Sequence, residues 1–312
     1  MPAATRTGRR GHVQRVRPST ETRLLVATAG EAESRGALRL AAALGARAAA
    51  RVLVLGVTRP MPPNLSAFVA MRQADSVDEQ NRRAMLERIR RSVRLMPGSD
   101  RWAQEVVVGV PVDVINDTAA KWKASLILLG IGRHNRLDRM FGTETAVAVM
   151  HSARVPVLAV AARARALPTR ALVAMDFTPA SMAAGRLAAK LLAPDGTLFV
   201  AHVCAFRGVK ERAGGLADVY RAGVRAKSDE AVRELRRRTS RRVEAVMLEG
   251  EPGAALVAHA RRARCDLIAL GGHEQGLMDR VLLGSVRTRV VRDAPCSVLI
   301  APPNALQPAR RS

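Results

Sequence analysis

LILLG at residues 126–130 and LIALG at residues 267–271 are two copies of one short apolar segment. Residue 267 follows residue 126 by 141 positions, and the same interval separates ARVPVLAV at 153–160 from APCSVLIA at 294–301. Self-similarity at a fixed interval is the mark of a duplicated structural unit. The sequence therefore predicts that one domain is written twice in this chain.

Each copy also opens in the same way, with RLLVAT at 23–28 and RALVAMD at 170–176. These segments are short and apolar, as expected for strands buried on both faces of a parallel sheet. A helical pattern and a second apolar strand follow each of them. Strands that alternate with helices indicate βαβ units with parallel pairing.

The pattern predicts an α/β fold of two tandem doubly wound domains, each with a five-stranded parallel sheet and helices on both faces. We expect one long loop at Arg59 to Asp75, where prolines interrupt regular structure. The other predicted helices and strands are helices at Ala32–Leu44, Asp78–Leu95, Val112–Lys123, Pro179–Leu192, Leu216–Thr239 and Gly253–Arg264, and strands at Arg51–Val57, Glu105–Val110, Thr197–Val203 and Val243–Leu248.

The domain boundaries follow from the repeat. We place the first domain at 23–162 and the second at 169–302, joined by a short linker that contains Pro168. Residues 1–22 are rich in arginine and lack the apolar core of a secretory signal, so we expect a disordered basic tail. Residues 303–312 form a second disordered tail.

Composition limits the partners. The formal net charge of +24 favours anionic partners, but aromatic residues make up only 3%, which removes the stacking surfaces of single-stranded nucleic-acid binders. We therefore expect no nucleic-acid partner. No apolar run reaches the 18 or so residues of a membrane helix, so we expect no membrane partner. The three cysteines, Cys204, Cys265 and Cys296, show no CxxC spacing, which indicates buried reduced thiols in a cytoplasmic protein.

The candidate site lies where strands end. In an open parallel sheet, ligands bind beyond the carboxyl ends of the strands, where the strand order reverses. Asp176 ends the first strand of copy two, and its carboxylate could accept hydrogen bonds from a ribose. Gly271 ends the fourth strand, and Gly284 with Ser285 opens the next helix, whose free amides favour a phosphate.

The stretch GGHEQGLMDRVLLGS at 271–285 resembles the nucleotide loop of the universal stress protein family, which has the pattern Gly, two residues, Gly, nine residues, Gly and Ser or Thr. The resemblance extends over nearly all of 23–302. It implies an adenine-nucleotide alpha-hydrolase-like fold, ATP in some members, with or without Mg²⁺, and pairing of two domains through their last strands. Here that pairing would be intramolecular, between Val155–Val160 and Cys296–Ala301, and a further homo-oligomer stays open. The nucleotide-binding set so implied is Asp176, Val203, Gly271, Gly284, Ser285, Val286 and Arg287.

Both copies depart from the family pattern. In copy two Glu274 replaces the second glycine, and a carboxylate repels a triphosphate. In copy one Thr28 stands in for the aspartate and Arg133 for the second glycine, while Glu144 follows the Gly142–Thr143 pair. We therefore expect the ligand in copy two, with copy one as a degenerate partner.

These residues also have plain structural explanations. Asp176 and Ser285 are ordinary helix N-caps, Gly271 and Gly284 serve turns, and Arg287 is a typical solvated charge. The leading hypothesis is a regulatory protein that binds ATP in its second domain, and the alternative is a nucleotide-free protein-interaction module of the same fold. An enzyme is not expected beyond a slow ATPase, because no Walker lysine pattern or catalytic residue set occurs.

Overall fold

The computed structural model describes residues 21–60, 71–131, 143–204, 216–272 and 283–302. The first copy contains strands β1 to β5 and helices α1 to α4. Their bounds are β1 Arg23–Ala27, α1 Arg35–Ala48, β2 Arg51–Thr58, α2 Met71–Val93, β3 Ala103–Val108, α3 Pro111–Lys121, β4 Leu126–Ile131, α4 Thr143–Ser152 and β5 Val157–Ala161.

The second copy repeats this order with strands β6 to β10 and helices α5 to α8. Their bounds are β6 Arg170–Ala174, α5 Pro179–Leu191, β7 Thr197–Cys204, α6 Leu216–Arg238, β8 Arg242–Glu249, α7 Pro252–Arg262, β9 Leu267–Gly271, α8 Leu283–Asp293 and β10 Ser297–Ala301. Proline stands at the first helical position of α3, α5 and α7. A backbone N–H at that position has no acceptor within the helix, so proline loses no hydrogen bond there.

The ten strands form one sheet in the order β3-β2-β1-β4-β5-β10-β9-β6-β7-β8. Within each copy all pairs are parallel, and the chain moves outward through β1, β2 and β3 before it returns to β4 on the other side of β1. This is the doubly wound topology that the sequence predicts. The strand order reverses between β1 and β4 in copy one, and between β6 and β9 in copy two.

The two copies join through their last strands. β5 and β10 are antiparallel, with Leu158 opposite Leu299 and Val157 opposite Ile300. The predicted intramolecular pairing is confirmed, and the chain is a pseudo-dimer. Because this pair is antiparallel, the carboxyl ends of the strands in copy one lie at the opposite edge of the continuous sheet from those in copy two.

Each face of the sheet carries a core that runs through both copies. One face packs against α1, α2, α5 and α6, and the other against α3, α4, α7 and α8. Side chains alternate between the two faces along β1. Leu24 and Val26 therefore belong to the first core, and Leu25 and Ala27 belong to the second. Strands covered on both faces read as continuous apolar runs, which is why LILLG and LIALG carry the fold signal.

One predicted loop is wrong in part. The prolines of the 59–75 segment end at Pro63, and helix α2 already begins at Met71 rather than near Asp78. Beyond the prolines nothing prevents the helix, and Glu79 stabilises it through ion pairs with Arg82 and Arg83 at 2.7 and 2.6 Å. Residues 61–70 and the two predicted tails lie outside the described residues, apart from positions 21 and 22.

All three cysteines are free and buried, as predicted. Burial raises the pKa of the Cys265 thiol to about 11, which keeps it protonated and unreactive. Among the residues that the structure describes, no helix is long and apolar enough to cross a membrane.

Candidate functional site

The predicted site residues Asp176 and Gly271 lie at the same edge of the sheet. β6 pairs with β9, and the last matched pair is Val173 with Ala269. Asp176 follows Val173 by three residues and Gly271 follows Ala269 by two, so both stand at the carboxyl ends of adjacent parallel strands. This is the point where the strand order reverses, the usual place for a ligand in such a sheet.

Asp176 is exposed, and its carboxylate is held in one orientation by Thr178. The Thr178 backbone N–H and hydroxyl both donate to Oδ1 of Asp176, at 3.0 and 2.6 Å. Thr178 itself is the N-cap of α5, since its Oγ1 accepts from the Ser181 N–H at 3.2 Å. The N-cap of α5 is therefore Thr178 and not Asp176, whose carboxylate accepts from Thr178.

His202 lies beside the candidate site, and the sequence reasoning missed it. Its ring stacks on Phe177 with centroids 4.9 Å apart, and Nδ1 donates to the Met175 carbonyl at 2.8 Å. The other ring nitrogen, Nε2, is buried with no hydrogen-bond partner among the described residues. The only sequence signal is its place beside Val203, next to the predicted adenine contact.

Gly271 is required by the packing whatever its role toward a ligand. A Cβ atom at this position would stand 2.6 Å from the Ser181 backbone nitrogen and 2.7 Å from the Ala180 carbonyl carbon. The adjacent Gly272 donates its N–H to the Ala301 carbonyl at 2.6 Å. Absence of a side chain thus lets the end of β9 approach the first turn of α5, which lies beside Asp176.

Val203 lies near the end of β7, opposite Leu248 of β8, and packs against the second core. Helix α8 begins at Leu283, so Gly284 and Ser285 lie in its first turn. The strand end at Val203 and the helix start at Gly284 and Ser285 are elements of copy two, as the sequence predicts, but their contact with a nucleotide stays a prediction.

Val286 and Arg287 lie further along α8. Val286 packs against the second core, and Arg287 lines a small cavity between α4 and α8 together with His151. Burial lowers the pKa of His151, and the positive charge of Arg287 lowers it further. Arg287 therefore lies at the interface of the two copies, and its predicted contact with a phosphate stays a prediction.

Much of the predicted phosphate loop falls outside the described residues. This applies to Glu274 in copy two and to Arg133 and Gly142 in copy one. Glu144 is described and stands in the first turn of α4.

Copy one differs from copy two at its switch point, the place where the strand order reverses. The predicted equivalence of Thr28 with Asp176 is wrong. The Thr28 N–H donates to the Leu55 carbonyl at 2.9 Å. In the same way, the Met175 N–H donates to the Ala201 carbonyl at 2.8 Å. The strand registers make Leu55 and Ala201 equivalent, so Thr28 corresponds to Met175. The residue at the position of Asp176 is therefore Ala29, which carries no hydrogen-bonding side chain.

The turn of copy one is also closed by a helix. Thr28 is buried, and its Oγ1 accepts from the Gly30 N–H at 2.9 Å. The Gly30 carbonyl accepts from the Ser92 hydroxyl of α2 at 2.9 Å, and the backbone of Arg88 lies against Gly30. Copy one thus has no carboxylate at the position of Asp176, and the backbone of α2 packs on its turn.

Within the described ranges, no group of three or more His, Cys, Asp or Glu residues is arranged to hold a metal ion.

Comparison with known proteins identifies the repeat. The family model described as "Universal stress protein family" matches residues 21–161 and again 168–302. Among curated proteins, a universal stress protein of Methanocaldococcus jannaschii is 29% identical over 106 residues, which span 33% of this chain and 61% of that protein. One from Thermus aquaticus is 37% identical over 59 residues, 19% of this chain and 43% of its own length.

Solved structures share the whole tandem fold. A universal stress protein from Archaeoglobus fulgidus DSM 4304 aligns with a TM-score of 0.62 and 19% identity, over 91% of this chain and 99% of that one. A structure described as a putative universal stress protein from Pseudomonas aeruginosa UCBPP-PA14 aligns with a TM-score of 0.55 and 13% identity, over 91% and 94% of the two chains. At these identities the likeness concerns the fold.

Proposed function

We propose, from the premise that this chain belongs to the universal stress protein family, that it is a regulatory protein that binds an adenine nucleotide at the switch point of its second copy. The observation that carries the proposal is the exposed Asp176 carboxylate, held by Thr178 at the carboxyl end of β6, beside Gly271 at the end of β9. A nucleotide bound at this site would be the signal that protein partners recognise.

The chain's own residues fit such a ligand in two ways. Asp176 is an acceptor for ribose hydroxyls, already oriented, so little side-chain entropy is lost on binding. His202 offers a buried ring nitrogen without a partner among the described residues, at the strand end where the adenine is predicted. The first turn of α8, with Gly284 and Ser285, would supply backbone amides to phosphate oxygens.

Copy one is proposed to bind no nucleotide. Ala29 replaces the carboxylate, and α2 packs its backbone on the Gly30 turn. Its role would be to pair its strand β5 with β10 and so to support the second copy. We also place the protein in the cytoplasm as a proposal, because three free buried cysteines suit a reducing compartment.

Titration calorimetry with ATP and Mg²⁺ tests the nucleotide proposal. Asp176→Ala should weaken binding by about 10- to 100-fold, which corresponds to a charge-assisted hydrogen bond of about 1.5–3 kcal/mol. Asp176→Asn separates two roles, because its amide oxygen can still accept from Thr178 while the charge is lost. Asp229→Asn on the exposed side of α6 makes the same charge change elsewhere and should leave the affinity unchanged.

The same titration decides between the two functions. If wild-type protein releases no heat with ATP, the nucleotide site is wrong, and the chain is the nucleotide-free interaction module. If Asp176→Ala binds ATP as tightly as wild type, a nucleotide binds but not where we propose.

A further inference from the structure

Copy two carries large side chains at three switch-point positions where copy one has only a methyl group or none. They are Asp176, Phe177 and His202, which correspond in the strand registers to Ala29, Gly30 and Gly56. In copy one the space is taken by α2, since a Cβ atom on Gly56 would lie 2.7 Å from Ile89 Cδ1 and 2.8 Å from Met85 Sδ. The carboxylate and the two rings therefore occur together, in the copy that is proposed to bind a nucleotide.

His202 contacts the residues on both sides of Asp176. Its Nδ1 donates to the Met175 carbonyl at 2.8 Å, and its ring stacks on Phe177 with an interplanar angle of 25°. The Met175 N–H in turn donates to the Ala201 carbonyl, so both backbone groups of Met175 are bonded to residues of β7. Asp176 thus extends from a turn that β7 contacts both before and after it.

The backbone of Phe177 is strained. Its φ of 66° lies in the left-handed region, which residues with a Cβ atom seldom adopt, and such a conformation persists only where the surrounding structure enforces it. Met175 is buried, and Phe177 packs against the first core. The stack on His202 is therefore one of the contacts that hold the turn in this conformation.

We propose that His202 is the positioning residue for the Asp176 carboxylate, an assignment that rests on the proposed nucleotide site. Thr178 holds the carboxylate itself through Oδ1, and His202 holds the backbone from which the carboxylate extends. Because a hydrogen bond weakens steeply with distance and angle, a turn without this support would lose the ribose contact even with Asp176 in place.

Two other roles of His202 lead to a different expectation. A purely structural role, or a direct contact of its ring with the adenine base, would strengthen the binding of every adenine nucleotide by the same factor. A positioning role acts through Asp176, so it concerns only ligands that carry ribose hydroxyls. The ratio of the affinities for ATP and for dideoxy-ATP, which lacks both ribose hydroxyls, separates these cases.

Titration calorimetry of the full chain with ATP and with dideoxy-ATP, both with Mg²⁺, tests the proposal. We expect wild type to prefer ATP by about tenfold or more, as for a hydrogen bond to a charged group. His202→Ala should reduce this preference to about threefold or less. His202→Asn should restore part of it, because its amide nitrogen stands at the same place in the side chain as Nδ1 and can donate to the Met175 carbonyl.

A second variant keeps the test independent of how well His202→Ala folds. Phe177→Leu removes the stack without a change in β7 and should also lower the preference for ATP. The matched control is Phe199→Leu in the same strand as His202. Phe199 belongs to the second core, on the opposite face of the sheet from Phe177, so this variant loses stability but should change the preference by less than about twofold.

The outcomes separate this assignment from the nucleotide site itself. The assignment is overturned if His202→Ala keeps the preference of wild type, whether or not it weakens both ligands, or if Phe199→Leu lowers the preference as much as His202→Ala does. A wild type that binds both ligands equally, or neither, instead overturns the proposed contact of Asp176 with the ribose, and this assignment with it.

Discussion

Gly30 and Phe177 occupy the same position in the two copies, and both have a left-handed backbone, with φ of 78° and 66°. Over Gly30 the backbone of α2 packs so closely that a Cβ atom would lie 2.9 Å from the Arg88 carbonyl carbon. Phe177 instead extends a ring that stacks on His202. One turn is thus closed by a helix backbone and the other by an aromatic side chain, which leaves Asp176 accessible in the second copy.

Gly30→Ala should lower the free energy of unfolding by about 3 kcal/mol or more. The left-handed backbone alone costs an alanine about 1–2 kcal/mol, and α2 must also shift to admit the methyl group. Urea unfolding measures the change. Gly98→Ala is the control, because φ is 69° there and a Cβ would meet nothing within 4 Å. This variant should therefore lose only the free energy of unfolding that the left-handed backbone costs an alanine. Equal losses in the two variants would contradict the close packing of α2.

Gly271→Ala should also destabilise the protein, by about 2–4 kcal/mol, since the new methyl group would overlap backbone atoms of Ser181 and Ala180. Gly272→Ala serves for comparison, because its nearest contact, the Ala301 carbonyl oxygen, is at 3.1 Å and the loss should be smaller. Thermal unfolding of both variants provides the measurement. A Gly271→Ala protein as stable as wild type would mean that β9 and α5 are further apart than described.

His259 should make the protein less stable in mild acid. Burial lowers its pKa below 6.5, and the charges of Arg262 and Arg170 lower it further. The Arg262 guanidinium donates to Nδ1 at 3.1 Å, which requires that nitrogen to be unprotonated. Since the unfolded chain then binds more protons below pH 6.5, the stability present above that pH is lost as pH falls toward the folded pKa.

Urea midpoints of wild type and His259→Gln between about pH 8 and pH 5 check this sign. The variant cannot titrate at this position, so the stability of wild type relative to it should decrease as pH drops through 6.5. A difference that stays constant with pH, or grows in acid, would mean that His259 is not held neutral in the folded protein.

The fold could be predicted from the sequence because its strands are buried on both faces and therefore continuous in apolar residues. LILLG and LIALG form β4 and β9, which lie inside the ten-stranded sheet, and the last strands meet as expected, with Leu158 opposite Leu299. These signals are local, and each depends on a few adjacent side chains.

The site was less predictable, because its geometry depends on register and on contacts between distant residues. We equated Thr28 with Asp176, whereas the register counted from Arg23 and Arg170 and the backbone hydrogen bonds both assign that position to Ala29. His202 could not be recognised, since its unpartnered nitrogen results from the Phe177 stack and the Met175 carbonyl.

A crystal structure of the full chain with ATP and Mg²⁺ tests the central claim most directly, since it measures where the nucleotide lies. We predict one nucleotide in the second copy, with ribose hydroxyl oxygens within about 3 Å of the Asp176 carboxylate and phosphates at the start of α8. A nucleotide at the carboxyl ends of β1 and β4, or one in copy two that makes no contact with Asp176, would contradict the account.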